Sequence, residues 1–200
     1  MTQVAVHIGP ADHGRHMKLA DFENAQGQPG HQYELSRGVV TVVDVPDRRH
    51  LAQVHAARRQ FYGYEAANPG RIYSIASGGE CKFLVSAVDS ERHPDLAVYK
   101  SPPEDEEDLW ANWVPEIAIE VVSPGSEQRD YVEKREEYLQ FGVREYWIID
   151  AGREQMLVLR RSGGRWVERV VGSDEKYKSR LLPGFEFDLK LVLEAARAAG

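Results

Sequence analysis

The chain has 200 residues, of which 42% are hydrophobic and 28% are charged, a composition typical of one globular domain with a well-buried core. It contains neither an apolar stretch near the roughly 20 residues that span a bilayer nor the N-terminal pattern of a signal peptide. The single cysteine, Cys81, excludes an internal disulfide and fits a reducing cytoplasm, where we expect the protein to act without membrane contact. The net charge of −7 argues against a uniformly basic nucleic-acid-binding protein.

The first part of the chain predicts an arm, a hairpin and one long helix. Residues 1–30 carry Gly, Gln, His and Pro with little periodicity, and we expect an N-terminal arm with one short helix. Apolar runs on both sides of a turn at Gly38 predict a β-hairpin over residues 33–43. Over residues 47–64 apolar side chains recur at three- and four-residue steps, which predicts a helix with Asp47 as its N-cap.

The second part of the chain predicts several buried strands and a helix between two of them. Residues 95–100 and 113–122 predict two strands joined by an acidic loop. A helix over 127–141 follows, with Gly142 just beyond its end, and residues 145–150 predict another buried strand. The remaining predicted elements are a strand at 81–88, a hairpin at 156–160 and 166–171, a strand at 183–189 that closes the sheet, and a C-terminal helix or tail at 191–200.

The order of these elements predicts an α/β fold in which a mixed sheet is flanked by helices and carries extra hairpins. The helix between the strands at 113–122 and 145–150 is the only clear parallel crossover. Neither an internal repeat nor a linker interrupts residues 31–190, and we therefore expect a single domain there.

A carboxylate inside a buried strand is the most informative feature of the sequence. Glu120 lies between Ile119 and Val121, and an ionised carboxylate there is costly unless a cation or several donors compensate it. A second carboxylate, Asp95, opens the preceding strand, so the two could lie side by side and bind Mg²⁺ or Mn²⁺. The alternatives are that Asp95 is a turn residue after Pro94 and that Glu120 is paired with a buried basic residue.

A lysine interrupts the apolar stripe of the helix that follows. Lys134 lies one turn after Tyr131 and one turn before Tyr138, which predicts that it faces the carboxylates. There it would position the attacking water and balance charge in the transition state. Arg135 is the alternative occupant of the stripe, and a surface pair with Asp130 at four-residue spacing is the alternative role for Lys134.

Further polar residues are weaker candidates for the same site. Glu34 and Asp130 could each add a carboxylate, although exposed glutamates are common on hairpins. His50 and His55 are five residues apart on the first helix and do not share a face well, which argues against both as metal ligands. We expect Ser123 to cap its loop, because the sequence shows no Ser-His-Asp arrangement around it.

Several motifs occur together in the order and spacing of one family. They are Tyr33-Glu34-Leu35 with Gly38, Pro94-Asp95, Glu120-Val121-Val122-Ser123-Pro124, Asp130 with Lys134 and Tyr138, Gly142-Val143-Arg144-Glu145-Tyr146-Trp147, and Leu182-Pro183-Gly184-Phe185. Over about residues 31–190 the chain resembles the Uma-type family of "putative restriction endonucleases", a bacterial group within the PD-(D/E)XK nuclease superfamily. The EVxSP and GVREYW segments are its specific part, whereas Pro-Asp alone is common.

The resemblance implies a restriction-endonuclease-like core with Asp95 and Glu120 as metal-binding acids. One position departs from the superfamily's pattern, because Val122 stands where that pattern has a lysine. The resemblance implies that the next helix supplies the lysine instead, and in this chain that residue is Lys134.

These observations predict a Mg²⁺- or Mn²⁺-dependent endonuclease that hydrolyses DNA through metal-activated water. The alternative is a nucleic-acid- or protein-binding module that keeps the fold without catalysis, and the negative net charge and the missing lysine at position 122 favour it. RNA as the substrate stays open. A homodimer would suit an enzyme that cuts both strands of a duplex, although no sequence feature demands one.

Overall fold

The computed structural model describes residues 6–43 and 45–200. The strands are β1 (His7–Ile8), β2 (Gln26–Gly27), β3 (Gln32–Ser36), β4 (Val39–Val43), β5 (Ser74–Ala76), β6 (Phe83–Val85), β7 (Ser90–Arg92), β8 (Leu96–Tyr99), β9 (Ile117–Val121), β10 (Glu145–Asp150), β11 (Gln155–Ser162), β12 (Arg165–Gly172), β13 (Lys176–Tyr177) and β14 (Phe187–Asp188). The α-helices are α1 (Leu19–Glu23), α2 (Arg48–Ala67), α3 (Leu109–Asn112), α4 (Lys134–Phe141) and α5 (Leu189–Ala199), and a π-helical segment, Arg129–Glu133, leads directly into α4.

The larger sheet is mixed and has six strands in the order β12-β11-β10-β9-β8-β5. Among the described strands of this sheet, β9 and β10 alone pair in parallel, and the helix between them makes the predicted crossover. The expected mixed α/β architecture is therefore confirmed. Gly142 ends α4 in the left-handed conformation, with φ of 108°, and its N–H bonds to the carbonyl of Tyr138.

A second sheet, with the order β4-β3-β7-β6, contains the predicted hairpin at residues 33–43. The two turn residues Arg37 and Gly38 have φ of 50° and 76°, which is the geometry of a tight two-residue hairpin. The sequence predicts a single sheet and does not reveal this division, because the strands β6 and β7 have only three residues each.

The two faces of the larger sheet are covered by different helices. One face packs on α2 and α5 through a core that includes Phe61, Trp147 and Val192. The other face packs on α4 and on the second sheet, and Tyr138 and Phe83 lie in that core with ring centroids 5.1 Å apart. Within the described ranges no helix is long and apolar enough to cross a bilayer.

The strand expected at 183–189 does not close the main sheet. Only Phe187–Asp188 is extended, and it pairs with β13 in a separate two-stranded sheet. The preceding residues turn inward instead, because Phe185 stacks on Phe61 at 4.7 Å and the Tyr64 hydroxyl donates to the carbonyl of Pro183. Aromatic packing in the core thus replaces strand pairing here.

The first described residues and the C-terminal helix both pack on the rest of the molecule. In the expected N-terminal arm, Ile8, Leu19 and Phe22 are buried against the β3–β4 hairpin, and α1 supplies its one short helix. Residues 1–5 of that arm lie outside the described ranges. The expected C-terminal helix or tail corresponds to α5, whose buried face packs on α2. The domain boundaries at residues 30 and 190 stay a prediction.

Candidate active site

Asp95 and Glu120 lie side by side because of the register between β8 and β9. These strands are antiparallel, and Leu96 is opposite Ile119. One step further along, Asp95 is therefore opposite Glu120, and opposed residues in a sheet point to the same face. Glu120 is only 2% exposed, whereas the Asp95 side chain keeps about a fifth of its surface in contact with solvent.

Glu120 is held by two side chains from the crossover helix. The Lys134 Nζ lies 2.9 Å from its Oε2, and the Tyr138 hydroxyl donates to its Oε1 at 2.5 Å. Burial raises the pKa of Glu120 to about 8, and nearby carboxylates, including that of Asp95, act in the same direction against the opposing charge of Lys134. A carboxyl with this pKa holds its proton far more tightly than an exposed glutamate does, chiefly because it is buried.

Lys134 faces the carboxylates and is 4% exposed. Besides Glu120, its Nζ lies 3.5 Å from Asp130 Oδ1 and 3.7 Å from Glu34 Oε1. Burial would lower the pKa of this lysine, but the surrounding carboxylates raise it, so it stays charged at neutral pH. Arg135 instead pairs with Glu168 near the surface. The geometry therefore matches the predicted orientation of Lys134, while its catalytic role stays a prediction.

Glu34 reaches the same lysine from β3. It accepts hydrogen bonds from Arg92 Nη1 and from the backbone N–H of His93, both at 3.1 Å. Burial alone would raise the pKa of Glu34, but the charges of Lys134, Arg92 and Arg129 together lower it to about 2. Glu34 is thus an ionised anchor for Lys134 and not an exposed hairpin residue.

Asp130 is the fourth carboxylate of the group and lies in the π-helical segment. It is 2% exposed, and its Oδ2 accepts the Ser126 hydroxyl at 2.5 Å. Burial raises its pKa against the charge of Lys134. The alternative role for Lys134 was a pair with Asp130 on the protein surface. That pair exists, but it is buried among the other carboxylates, so the surface location is wrong.

A hydrogen-bonded series of Asp95, His50 and Ser123 lies at the open side of the carboxylates. His50 Nε2 is 3.0 Å from Asp95 Oδ1, and His50 Nδ1 is 2.9 Å from Ser123 Oγ. The backbone N–H of Val121 donates to the other oxygen of Asp95 at 2.7 Å. The expectation that no Ser-His-Asp arrangement surrounds Ser123 is therefore wrong, because α2 brings His50 to Ser123 although the two residues are 73 positions apart in the chain. His55 on the same helix is exposed and does not line the site.

Arg92 is a second residue that the sequence analysis missed. Its side chain is fully buried, and it contacts Glu137 through two hydrogen bonds of 2.6 and 3.1 Å in addition to Glu34. These bonds tie β7 to α4 and to β3, which fixes the position of Glu34 beside Lys134. A three-residue strand carries no periodic signal that would reveal such an arginine.

The carboxylates and Lys134 line an open cleft of about 640 Å³. Its polar lining includes Glu34, His50, Asp95, Glu120, Ser123, Arg129, Asp130 and Lys134. Val45 and Leu51 lie at its rim and are exposed apolar residues. The cleft is therefore polar at its base and partly apolar at its mouth.

The donor set fits a hard divalent cation with few protein ligands. In the described part of the chain, no group of three or more His, Cys, Asp or Glu side chains is arranged to hold a metal ion. Asp95 and Glu120 offer two carboxylates on one face, and Mg²⁺ commonly uses one or two carboxylates with water and phosphate oxygens completing its shell. Glu34 is not free to join them, because Arg92 and Lys134 engage it.

Comparison with known proteins agrees with this architecture. The crystal structure of a "putative nuclease belonging to DUF820" from Anabaena variabilis matches with a TM-score of 0.72 over 90% of this chain and 99% of that chain. The identity is 19%, so this likeness shows the fold alone. Among curated proteins there is no significant match. The model of the Uma2 family, described as "Putative restriction endonuclease", matches residues 19–191, and the chain therefore belongs to that family.

Proposed function

We propose that this protein is a metal-dependent endonuclease that hydrolyses phosphodiester bonds in DNA. The observation that supports it most is the placement of Asp95 beside Glu120, with the Lys134 Nζ 2.9 Å from Glu120, in an open cleft. Family membership favours a nuclease over an unrelated hydrolase. The proposal names DNA as the substrate, with Asp95 and Glu120 as ligands of Mg²⁺ or Mn²⁺.

The remaining side chains hold the two acids in place. A divalent cation supplies Lewis acidity toward a phosphate oxygen when it is bound. His50 and the Val121 N–H fix the carboxylate of Asp95, and Tyr138 fixes that of Glu120. Oriented ligands of this kind bind a cation more tightly than mobile ones, because less conformational freedom is lost on binding.

Lys134 acts as the fixed positive charge of the proposed site. Glu34 and Asp130 hold its ammonium group next to Glu120, so little reorganisation is needed when negative charge develops on the phosphate. Its positive charge can also polarise a water molecule that attacks the phosphate.

Nicking of supercoiled plasmid tests this proposal. The wild type should convert the plasmid in Mg²⁺ or Mn²⁺ and not in EDTA, and Glu120→Ala should abolish the conversion. Glu168→Ala is the matched control, because Glu168 is exposed and pairs with Arg135 outside the cleft. No nicking by the wild type in either ion would contradict the proposal and favour a binding module with the nuclease fold. Cleavage of RNA alone would replace DNA as the substrate.

The cellular setting and the assembly are further parts of the proposal. A cytoplasmic enzyme with one cysteine, buried as Cys81, needs no oxidising compartment. In a homodimer, each copy of the chain would place its site on one strand of a DNA duplex. Light scattering coupled to size-exclusion chromatography tests the homodimer, and a monomeric mass with and without DNA would contradict it.

A further inference from the structure

Three cationic side chains of the described residues surround the carboxylates, and two of them have several partners. Lys134 contacts Glu120 and two further carboxylates, and Arg92 pairs with the buried Glu34 and Glu137. The third is Arg129, which lines the cleft and whose charge contributes to the lowered pKa of Glu34. Among the described residues Arg129 forms no ion pair, and its Nε is shielded from solvent without a hydrogen-bond partner.

The π-helical segment explains why Arg129 lies at the cleft. The backbone N–H of Lys134 bonds to the carbonyl of Arg129, five residues earlier, so one wide turn separates the two. In a regular α-helix, the side chains of residues five positions apart point in clearly different directions. The wider π-helical turn brings such side chains closer to one face of the helix. Arg129 therefore borders the same cleft that contains Lys134.

Arg129 lines the open cleft and pairs with no carboxylate of the described residues, so its guanidinium group can accept an anionic ligand there, and the unpartnered Nε shows that its hydrogen bonding is incomplete without one. Arginine presents several donors in a planar fork, which matches two oxygens of one phosphate. We propose that Arg129 binds the non-bridging oxygens of the substrate phosphate. This inference rests on the proposed nuclease function for the nature of the phosphate, and it assigns substrate binding to a residue that the acid motif does not contain.

The charged side chains that line the cleft are consistent with metal binding by the carboxylates and phosphate binding by Arg129. A phosphate that enters beside Asp95, Glu120 and Asp130 meets three carboxylates. Lys134 is engaged by Glu120 and Asp130, so among the Lys and Arg side chains of the described residues that line the cleft, Arg129 is the one without an ion pair. The apolar rim of Val45 and Leu51 leaves room for the sugar and base of the same nucleotide.

Binding of a fluorescein-labelled 20-nucleotide single-stranded DNA tests the inference by anisotropy, with Ca²⁺ in place of Mg²⁺ to suppress turnover. Arg129→Gln should weaken binding about tenfold and lower the slope of log affinity against log salt by about 0.7, the effect of losing one phosphate contact. Arg135→Gln is the control for a lost arginine charge on the same helix, and it should bind like the wild type because Arg135 pairs with Glu168.

The conservative variant separates charge from geometry. Arg129→Lys should restore the salt slope but only part of the affinity, because an ammonium group lacks the planar fork. Circular dichroism shows whether Arg129→Gln folds. If it does not, Arg129→Lys tests the inference: a DNA affinity below that of the wild type supports it, and an affinity equal to that of the wild type contradicts it. Equal affinity and slope for Arg129→Gln and the wild type, or no measurable binding by the wild type, would also contradict it.

Plasmid nicking distinguishes failure of this inference from failure of the proposed function. Arg129-dependent DNA binding without nicking by the wild type would contradict the nuclease function and retain the phosphate site. Normal nicking by Arg129→Gln with an unchanged KM would contradict the phosphate site and retain the nuclease. A raised KM with a smaller change in kcat would support both.

Discussion

At the scale of single residues, Lys134 is the side chain on which the proposed chemistry depends most. Three carboxylates hold its ammonium group, and its stem lies in the apolar face of the helix. The position of this lysine between Tyr131 and Tyr138 was predictable from helical periodicity. Its exact partners were not, because Glu34 comes from a different sheet that the sequence does not place.

Lys134→Met should preserve the fold and metal binding, because methionine mimics the aliphatic stem. It should reduce the rate of plasmid cleavage by about 10²-fold or more, since the positioned cation is lost. Single-turnover cleavage in Mg²⁺ measures this. Arg135→Met is the control and should cut like the wild type. An active Lys134→Met beside an inactive Arg135→Met would show that the other member of the basic pair is functional.

Glu120 gives a pH-dependent prediction. Its pKa is about 8 in the folded protein against a usual value of 4.5, so the folded state holds this proton more tightly than the unfolded chain does. The wild type should therefore lose stability as the pH rises from about 5 to about 8.5, and Glu120→Gln should gain stability relative to it over that range. Urea denaturation without divalent metal measures the difference. A variant that is several kcal/mol less stable at every pH would identify Glu120 as an ionised structural partner of Lys134.

At the scale of elements, helices and strands with a regular apolar repeat were predicted more successfully than segments of irregular geometry. The strand predicted at 145–150 matches β10, and the helix predicted at 47–64 is α2 with Asp47 as its N-cap. The helix predicted over 127–141 exists, but the π-helical segment within it was not predictable. A π-helical turn has no apolar repeat of its own in five residues, and it depends on contacts from other elements, such as the Tyr146 hydroxyl that donates to the carbonyl of Asp130 at 2.9 Å.

The junction between the two sheets depends on Arg92 of β7. Arg92→Met leaves the carboxylates of Glu34 and Glu137 buried and without their guanidinium partner, so we expect a loss of about 3–5 kcal/mol in the free energy of unfolding. Chemical denaturation at pH 7 measures it. Arg197→Met is the control, because its pairing with Glu154 is exposed and should contribute at most about 1 kcal/mol. A loss below about 1 kcal/mol for Arg92→Met would show that these carboxylates do not need the arginine.

At the scale of the whole molecule, the site forms only when distant parts of the chain meet. Glu34 comes from the smaller sheet, Asp95 and Glu120 from the larger one, and Lys134 from the helix between β9 and β10. The sequence could suggest each residue alone, but not the Asp95–His50–Ser123 series. That series depends on how α2 lies across the sheet, and spacing along the chain does not contain this information.

Binding of a metal ion to this assembled site should stabilise the whole fold. At a free Mn²⁺ concentration of 100 times Kd, the wild type should gain about 2.7 kcal/mol, seen as a higher Tm. Glu120→Gln should show little shift, because it lacks one of the two carboxylates. Glu168→Gln, altered outside the cleft, should shift like the wild type. A wild-type Tm that does not respond to Mn²⁺ would favour an inert module.

For the proposed nuclease, the crowding of carboxylates in the cleft predicts the order in which the metal ion and DNA bind. Glu34, Glu120 and Asp130 share Lys134, and Asp95 adds a fourth carboxylate to the cleft, so a polyanion that approaches without a metal ion is repelled. A divalent cation that arrives first reverses the local sign of the charge. Association of DNA should therefore be slow in EDTA and accelerate after premixing with the cation, and stopped-flow traces should depend on which solution carries the metal. The protein would then associate rapidly with DNA only after it has bound the metal ion that cleavage requires.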